Sequence, residues 1–157
     1  MRKRASVLLA AAVLAAALSA TAAAASVRSS SAAHASRAAT VQLRHTRLGS
    51  ILVSASGSTL YEFTKDRLDS DSCVKIRGCA AAWPPLQSSD TPTAGSGIRA
   101  SLLSTIRLPD GAKQVTYAGH PLYLFSADTQ AGDTSYVGEV EFGGAWDALS
   151  ASAQAIR

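Results

Sequence analysis

Aromatic residues are missing from the first 60 positions of this 157-residue chain; all nine lie between Tyr61 and Trp146. A segment without large rings contributes little to an ordinary core. The remaining roughly 110 residues suffice for one small domain and not for two. Histidine is also scarce, and His120 is the single one beyond His45. Mononuclear copper of the blue type needs two histidines and a cysteine, which one domain histidine does not supply. There is no Gly-x-Ser-x-Gly elbow, His-Glu-x-x-His, phosphate loop or Cys-x-x-Cys-His. The sequence calls for no cofactor and no catalytic residue.

Excess positive charge is missing where it would matter. The formal charge is +4, but Arg2, Lys3 and Arg4 stand at the extreme N-terminus. From residue 46 onward Lys+Arg number 9 and Asp+Glu number 11, a balance of −2. A near-neutral domain lacks the basic footprint that phosphate binding needs, which excludes nucleic acid as a partner.

What the N-terminus does have is the pattern of a secretory signal. Three basic residues precede an apolar stretch from Val7 to Leu18, and Ala-x-Ala sites follow at Ala20-Thr21-Ala22 and Ala23-Ala24-Ala25. Twelve apolar residues rise about 18 Å as a helix, short of a ~30 Å hydrocarbon core, so no stable membrane insertion of the mature chain is expected. No cysteine follows the apolar run, which excludes lipidation there. Residues 1–25 are therefore read as a signal peptide. Residues 26–45, rich in Ser and Ala, are read as a disordered tether, and the location as secreted or cell-envelope.

The rest repeats itself. Shifted by 62 positions, Val53 falls on Val115, Gly57 on Gly119, and Leu60, Tyr61, Phe63 and Asp66 on Leu122, Tyr123, Phe125 and Asp128. With one further residue of shift, Trp83 falls on Trp146 and Leu86 on Leu149. This predicts a two-repeat β domain over 46–150. Repeat one spans about 47–86, a spacer 87–100, repeat two about 101–150, and a tail 151–157. Each copy begins as a hairpin. Ser50–Val53 turns at Ser56-Gly57 into Thr59–Phe63, and Lys113–Tyr117 turns at Ala118-Gly119 into Pro121–Phe125. Leu102–Leu108 is a further strand before the Asp110-Gly111 turn. Leu122 and Leu124 make the second copy's strand apolar on the face away from Tyr123, as in a covered central strand. Val140 and Phe142 alternate with Glu139 and Glu141, as in a half-exposed strand. Cys79–Trp83 forms one helical turn stopped by Pro84-Pro85. The fold class is mainly β: a small domain of two pseudo-symmetric antiparallel repeats.

These residues carry a resemblance. Gly57-x-x-Leu60-Tyr61-x-Phe63-x-x-Asp66, with Cys73 and Cys79-Ala80-Ala81-Ala82-Trp83-Pro84-Pro85-Leu86, resembles one copy of a bacterial secreted-repeat or lipoprotein family. That family has the motif Tyr-x-(Phe/Trp/Tyr)-x-x-Asp. Gly119-x-Pro121-Leu122-Tyr123-x-Phe125-x-x-Asp128, with Trp146, resembles the other copy. The resemblance implies a small extracytoplasmic β-rich domain of unknown molecular function, with a weak link to alkane catabolism. The chain departs from it in lacking the lipidated cysteine of many members and in having five residues between its cysteines.

Three sets of residues bear chemistry. Cys73 and Cys79, the only cysteines, point to a disulfide in an exported chain; a redox pair or a soft-metal site is the alternative. Asp66 and Asp128 follow equivalent strands, where a carboxylate accepting local N–H bonds fixes a turn. A hard-cation site would use Asp66, Asp69, Asp71, Asp128 and Asp133, although their spacing matches no known loop. Tyr61, Tyr123, Phe63, Phe125, Trp83 and Trp146 build a core or line a groove. The expected function is a non-catalytic envelope binding or interaction module whose partner is the cell wall or another envelope protein. The alternatives are a redox or metal-handling protein, in which His120 is a further candidate, and a carrier of small apolar ligands.

Overall fold

The computed structural model describes residues 38–157, so the expected signal peptide and most of the expected tether lie outside the described residues. The described chain begins with a strand the sequence reading missed. β1 (Thr40–Thr46) starts inside the stretch read as tether, because Val41 is apolar and fully buried and Leu43 packs against the core. It pairs antiparallel with β2 (Gly49–Ser54), from Val41 opposite Ser54 to Thr46 opposite Gly49. β4 (Thr93–Ala94), within the expected spacer, adds to β1 in parallel. The counterpart in the second repeat is a sheet of β5 (Leu103–Arg107), β6 (Lys113–Tyr117) and β7 (His120–Pro121).

The hairpins open as expected and then depart from expectation. Gly57 and Gly119 hold φ of +85° and +83°, a region glycine enters without the clash of a Cβ. β3 (Tyr61–Phe63) nevertheless does not continue along its own repeat. It crosses to β9 (Gly144–Leu149) of the other, with Tyr61 opposite Ala148 and Phe63 opposite Trp146. β9 also carries β8 (Glu139–Glu141) and β10 (Ala155–Ile156), so the expected tail contains a strand. β8 is not half-exposed: all three residues are exposed and Val140 is 72% accessible, while Glu141 accepts the Trp83 indole N–H at 2.9 Å, so the strand is held by that bond and by β9 rather than by burying Val140. A 3-10 turn (Cys73–Lys75) and the single-turn helix α1 (Cys79–Ala82) connect β3 to Trp83. The N–H of Trp83 closes α1 on the Cys79 carbonyl, and Pro84 follows.

Both repeats supply the core. One cluster joins Val41, Leu52, Leu60 and Leu86 to Val115, Tyr117, Leu122 and Leu149. Another gathers Tyr61, Phe63, Trp83, Tyr123 and Trp146 around Cys73 and Cys79. Each large apolar side chain buried this way stabilises by about 1.5–3 kcal/mol relative to exposure. Since neither cluster closes with one repeat alone, the copies fold as a unit. The strand of the second copy is covered on both faces at Leu122 and Tyr123, each fully buried, and only its end opens: Leu124 packs against the core but is partly exposed on a groove.

Candidate functional site

The residues that recur in both repeats meet at one place. Tyr61 and Tyr123 face each other antiparallel, and each donates its N–H to the other's carbonyl at 2.9 Å. Equivalent residues of two copies that exchange equivalent bonds mark a local two-fold axis. The side chains obey the same symmetry. Phe63 stacks on Trp146 at 4.2 Å, Trp146 on Trp83 at 4.1 Å, and Trp83 on Phe125 at 4.1 Å. Tyr61 stands edge-on to Trp83 and Tyr123 edge-on to Trp146, both at 5.1 Å between centroids. Each phenylalanine therefore stacks on the tryptophan of the other repeat. Such pairs contribute about 0.5–1.5 kcal/mol each beyond area burial. At these separations no space remains between the rings for a ligand.

The motif aspartates are also exchanged. The Tyr123 hydroxyl donates to Asp66 Oδ2 at 2.6 Å, and the Tyr61 hydroxyl donates to Asp128, 3.2 Å from each carboxylate oxygen. Asp66 does fix a local turn, accepting the N–H of Ser72 at 2.8 Å and its hydroxyl at 2.6 Å. The sequence reading missed the bond to the opposite tyrosine. The signal was present: a tyrosine stands five residues before the aspartate in both copies. Burial pushes the Asp128 carboxyl up to about 6, against the pull of the Tyr61 hydroxyl. Burial likewise raises Asp66, opposed by its bonds to Ser72 and Tyr123. Both tyrosines are pushed well above the usual phenol range, first by burial and then by the facing carboxylates.

The other aspartates do other work. Asp71 accepts the Val74 N–H at 2.9 Å, and Asp133 accepts that of Ser135 at 3.0 Å, which lowers its carboxyl. Among the described residues no group of three or more His, Cys, Asp or Glu is placed to hold a metal ion. Cys73 and Cys79 are joined as a disulfide and fully buried beneath the ring stack. Pro84 and Pro85 do not enter the stack; they line a groove on the surface.

A second polar set breaks the symmetry. His120 Nδ1 meets Glu62 Oε2 at 2.5 Å, and Arg157 Nε donates to the fully buried Asp147 at 2.9 Å. Glu62 and Asp147 are opposite each other on β3 and β9. Burial raises the Glu62 carboxyl, and His120 opposes that rise. In the other copy the equivalents of Glu62, His120 and Asp147 are Leu124, Ser58 and Pro84.

A family model described as a secreted repeat of unknown function matches the chain twice, over residues 43–87 and 104–150. The matched segments bracket the two sets of exchanged residues. No curated protein and no solved structure matches this chain.

Proposed function

The chain belongs to the family of secreted repeats of unknown function and acts outside the cytoplasm, and from that membership we propose that it is a non-catalytic binding or interaction module of the cell envelope. One observation carries this reading. The tyrosines, aspartates, phenylalanines and tryptophans that define the repeat are all engaged with one another across the local two-fold axis. They hold the copies together and leave no side chain of the motif free for turnover. The rigid unit then offers its edges and surface to a partner, either the cell wall or another envelope protein. A redox role for Cys73 and Cys79 draws no support from a bridge whose sulfurs lie in the core, because exchange needs an accessible thiolate.

The test is photo-crosslinking in intact cells, with a crosslinking residue in place of exposed Val140. Discrete adducts with one envelope component are expected. Absence of any adduct, or two titratable thiols in the native protein, would overturn the reading.

A further inference from the structure

The offset that superposes Trp83 on Trp146 also carries Pro84–Gln87 onto Asp147–Ser150. On one edge the two strips behave alike: Ala148 pairs antiparallel with Tyr61, and Pro85 pairs antiparallel with Tyr123. On the opposite edge they differ. β10 lies along β9, Ala155 opposite Leu149 and Ile156 opposite Ala148, and the Ser150 N–H donates to the Gln154 carbonyl at 2.9 Å. Beside Pro84–Gln87 there is no such strand among the described residues. A groove of about 590 Å³ stands there, lined by Pro84, Leu86, Leu108, Pro109 and Leu124, with Asp110 its one charged residue.

The backbone along that edge is unpaired. The carbonyls of Pro84 and Leu86 accept from Leu124 and Val115, and the Leu86 N–H donates to Leu122, so these groups point inward. In an extended strip the intervening residues point the other way. The Pro85 carbonyl and both backbone groups of Gln87 thus point to the open edge, beside the groove that both residues line, and no described residue bonds them. The chemistry of the two strips also differs. Asp147, which takes Arg157, is replaced by Pro84, and Glu62 by Leu124.

We propose that this groove binds a short extended segment of a partner protein by strand addition. The segment pairs with the Pro85–Gln87 edge as β10 pairs with β9, and sets an apolar side chain over Pro84 and Leu124 where β10 carries Arg157. Main-chain bonds give such a site its affinity, and the pockets give it selectivity. A second copy of this chain is the poorer occupant, since its own tail would bring Arg157 to the two apolar residues that stand in for carboxylates. The inference rests on the binding-module reading above and names the face and the kind of partner.

The test offers the full chain a displayed panel of short random peptides and titrates a selected one by fluorescence anisotropy. Enrichment of extended sequences with alternating apolar residues is expected. Gln87→Pro removes an N–H the fold does not use, and should weaken binding about fivefold, the equivalent of one hydrogen bond. Leu124→Glu should abolish binding. Circular dichroism shows which variant is folded, and either folded variant decides. Four results overturn the proposal: no enrichment, affinity unmoved in a folded variant, equal binding of a peptide copying residues 152–157, or saturation by an apolar dye alone. The crosslinking experiment separates the two readings. A partner still captured by a folded Leu124→Glu chain sinks the groove and spares the module. Peptides that bind without any adduct in cells do the reverse.

Discussion

Repeat one and repeat two agree at their shared centre and disagree at their edges. At the centre each ring, hydroxyl and carboxylate of one copy has its counterpart in the other, and every counterpart bonds across the axis. At the edge, repeat two covers its Asp147–Ser150 strip with β10 and anchors it by Arg157, while the matching Pro84–Gln87 strip of repeat one lies open. What both copies retain is what joins them. What only one has is what distinguishes this molecule's surface.

The centre breaks first and hardest. Trp83→Ala or Trp146→Ala should cost about 3–5 kcal/mol, because each removes a fully buried ring from the middle of the stack. Urea denaturation measures it, and full stability in either variant would mean that the stack is not the core. At the covered edge, Arg157→Ala leaves Asp147 buried with Oδ1 already without a partner among the described residues, and should cost up to about 3 kcal/mol. The same assay should find Lys113→Ala, whose exposed ammonium donates only to the Ser89 carbonyl beside the open strip, close to neutral. Replacing Cys73 and Cys79 by serine should lower stability by about 2 kcal/mol, the entropy of a short closed loop, and leave the circular dichroism unchanged.

The smallest effect is a pH dependence that tests how equal the two halves of the centre are. The Asp128 carboxyl sits at about 6, above its ordinary 3.8. A group raised on folding binds its proton more tightly in the folded chain. Its contribution is therefore fully present below pH 3.8 and is lost as pH rises through 6. Asp66 is raised in the same direction. Asp128→Asn should flatten the stability profile between about pH 4 and 6, measured by thermal melts across that window. A profile identical to the parent's would mean that Asp128 is more exposed than the Tyr61 contact implies.

Much of the centre is legible in the sequence. The doubled Tyr-x-Phe-x-x-Asp string, the turn glycines and the cysteine pair all reappear as neighbours in space. Alternation and turn chemistry are local, and local signals survive in one dimension. The misses have one cause. Whether Tyr61–Phe63 pairs within its own repeat or with β9 depends on contacts more than 80 residues apart, which no window registers. The same holds for β1, where two apolar residues in a Ser/Ala-rich stretch become a strand only because β2 and β4 flank them. It holds for β10, whose two residues pair only because β9 offers an edge. The groove was invisible for the converse reason, since Leu124 is covered or bare according to whether a strand lies beside it.

The reciprocal bonds between Tyr61 and Tyr123 have a consequence for copy number. Each unit presents half of a joint that is complete only when a like unit meets it. A chain with two units is satisfied within itself, and a chain with one must find its twin in another molecule. A chain with three leaves one half-joint bare and closes it on a second such chain, so an odd count calls for a dimer where an even count does not.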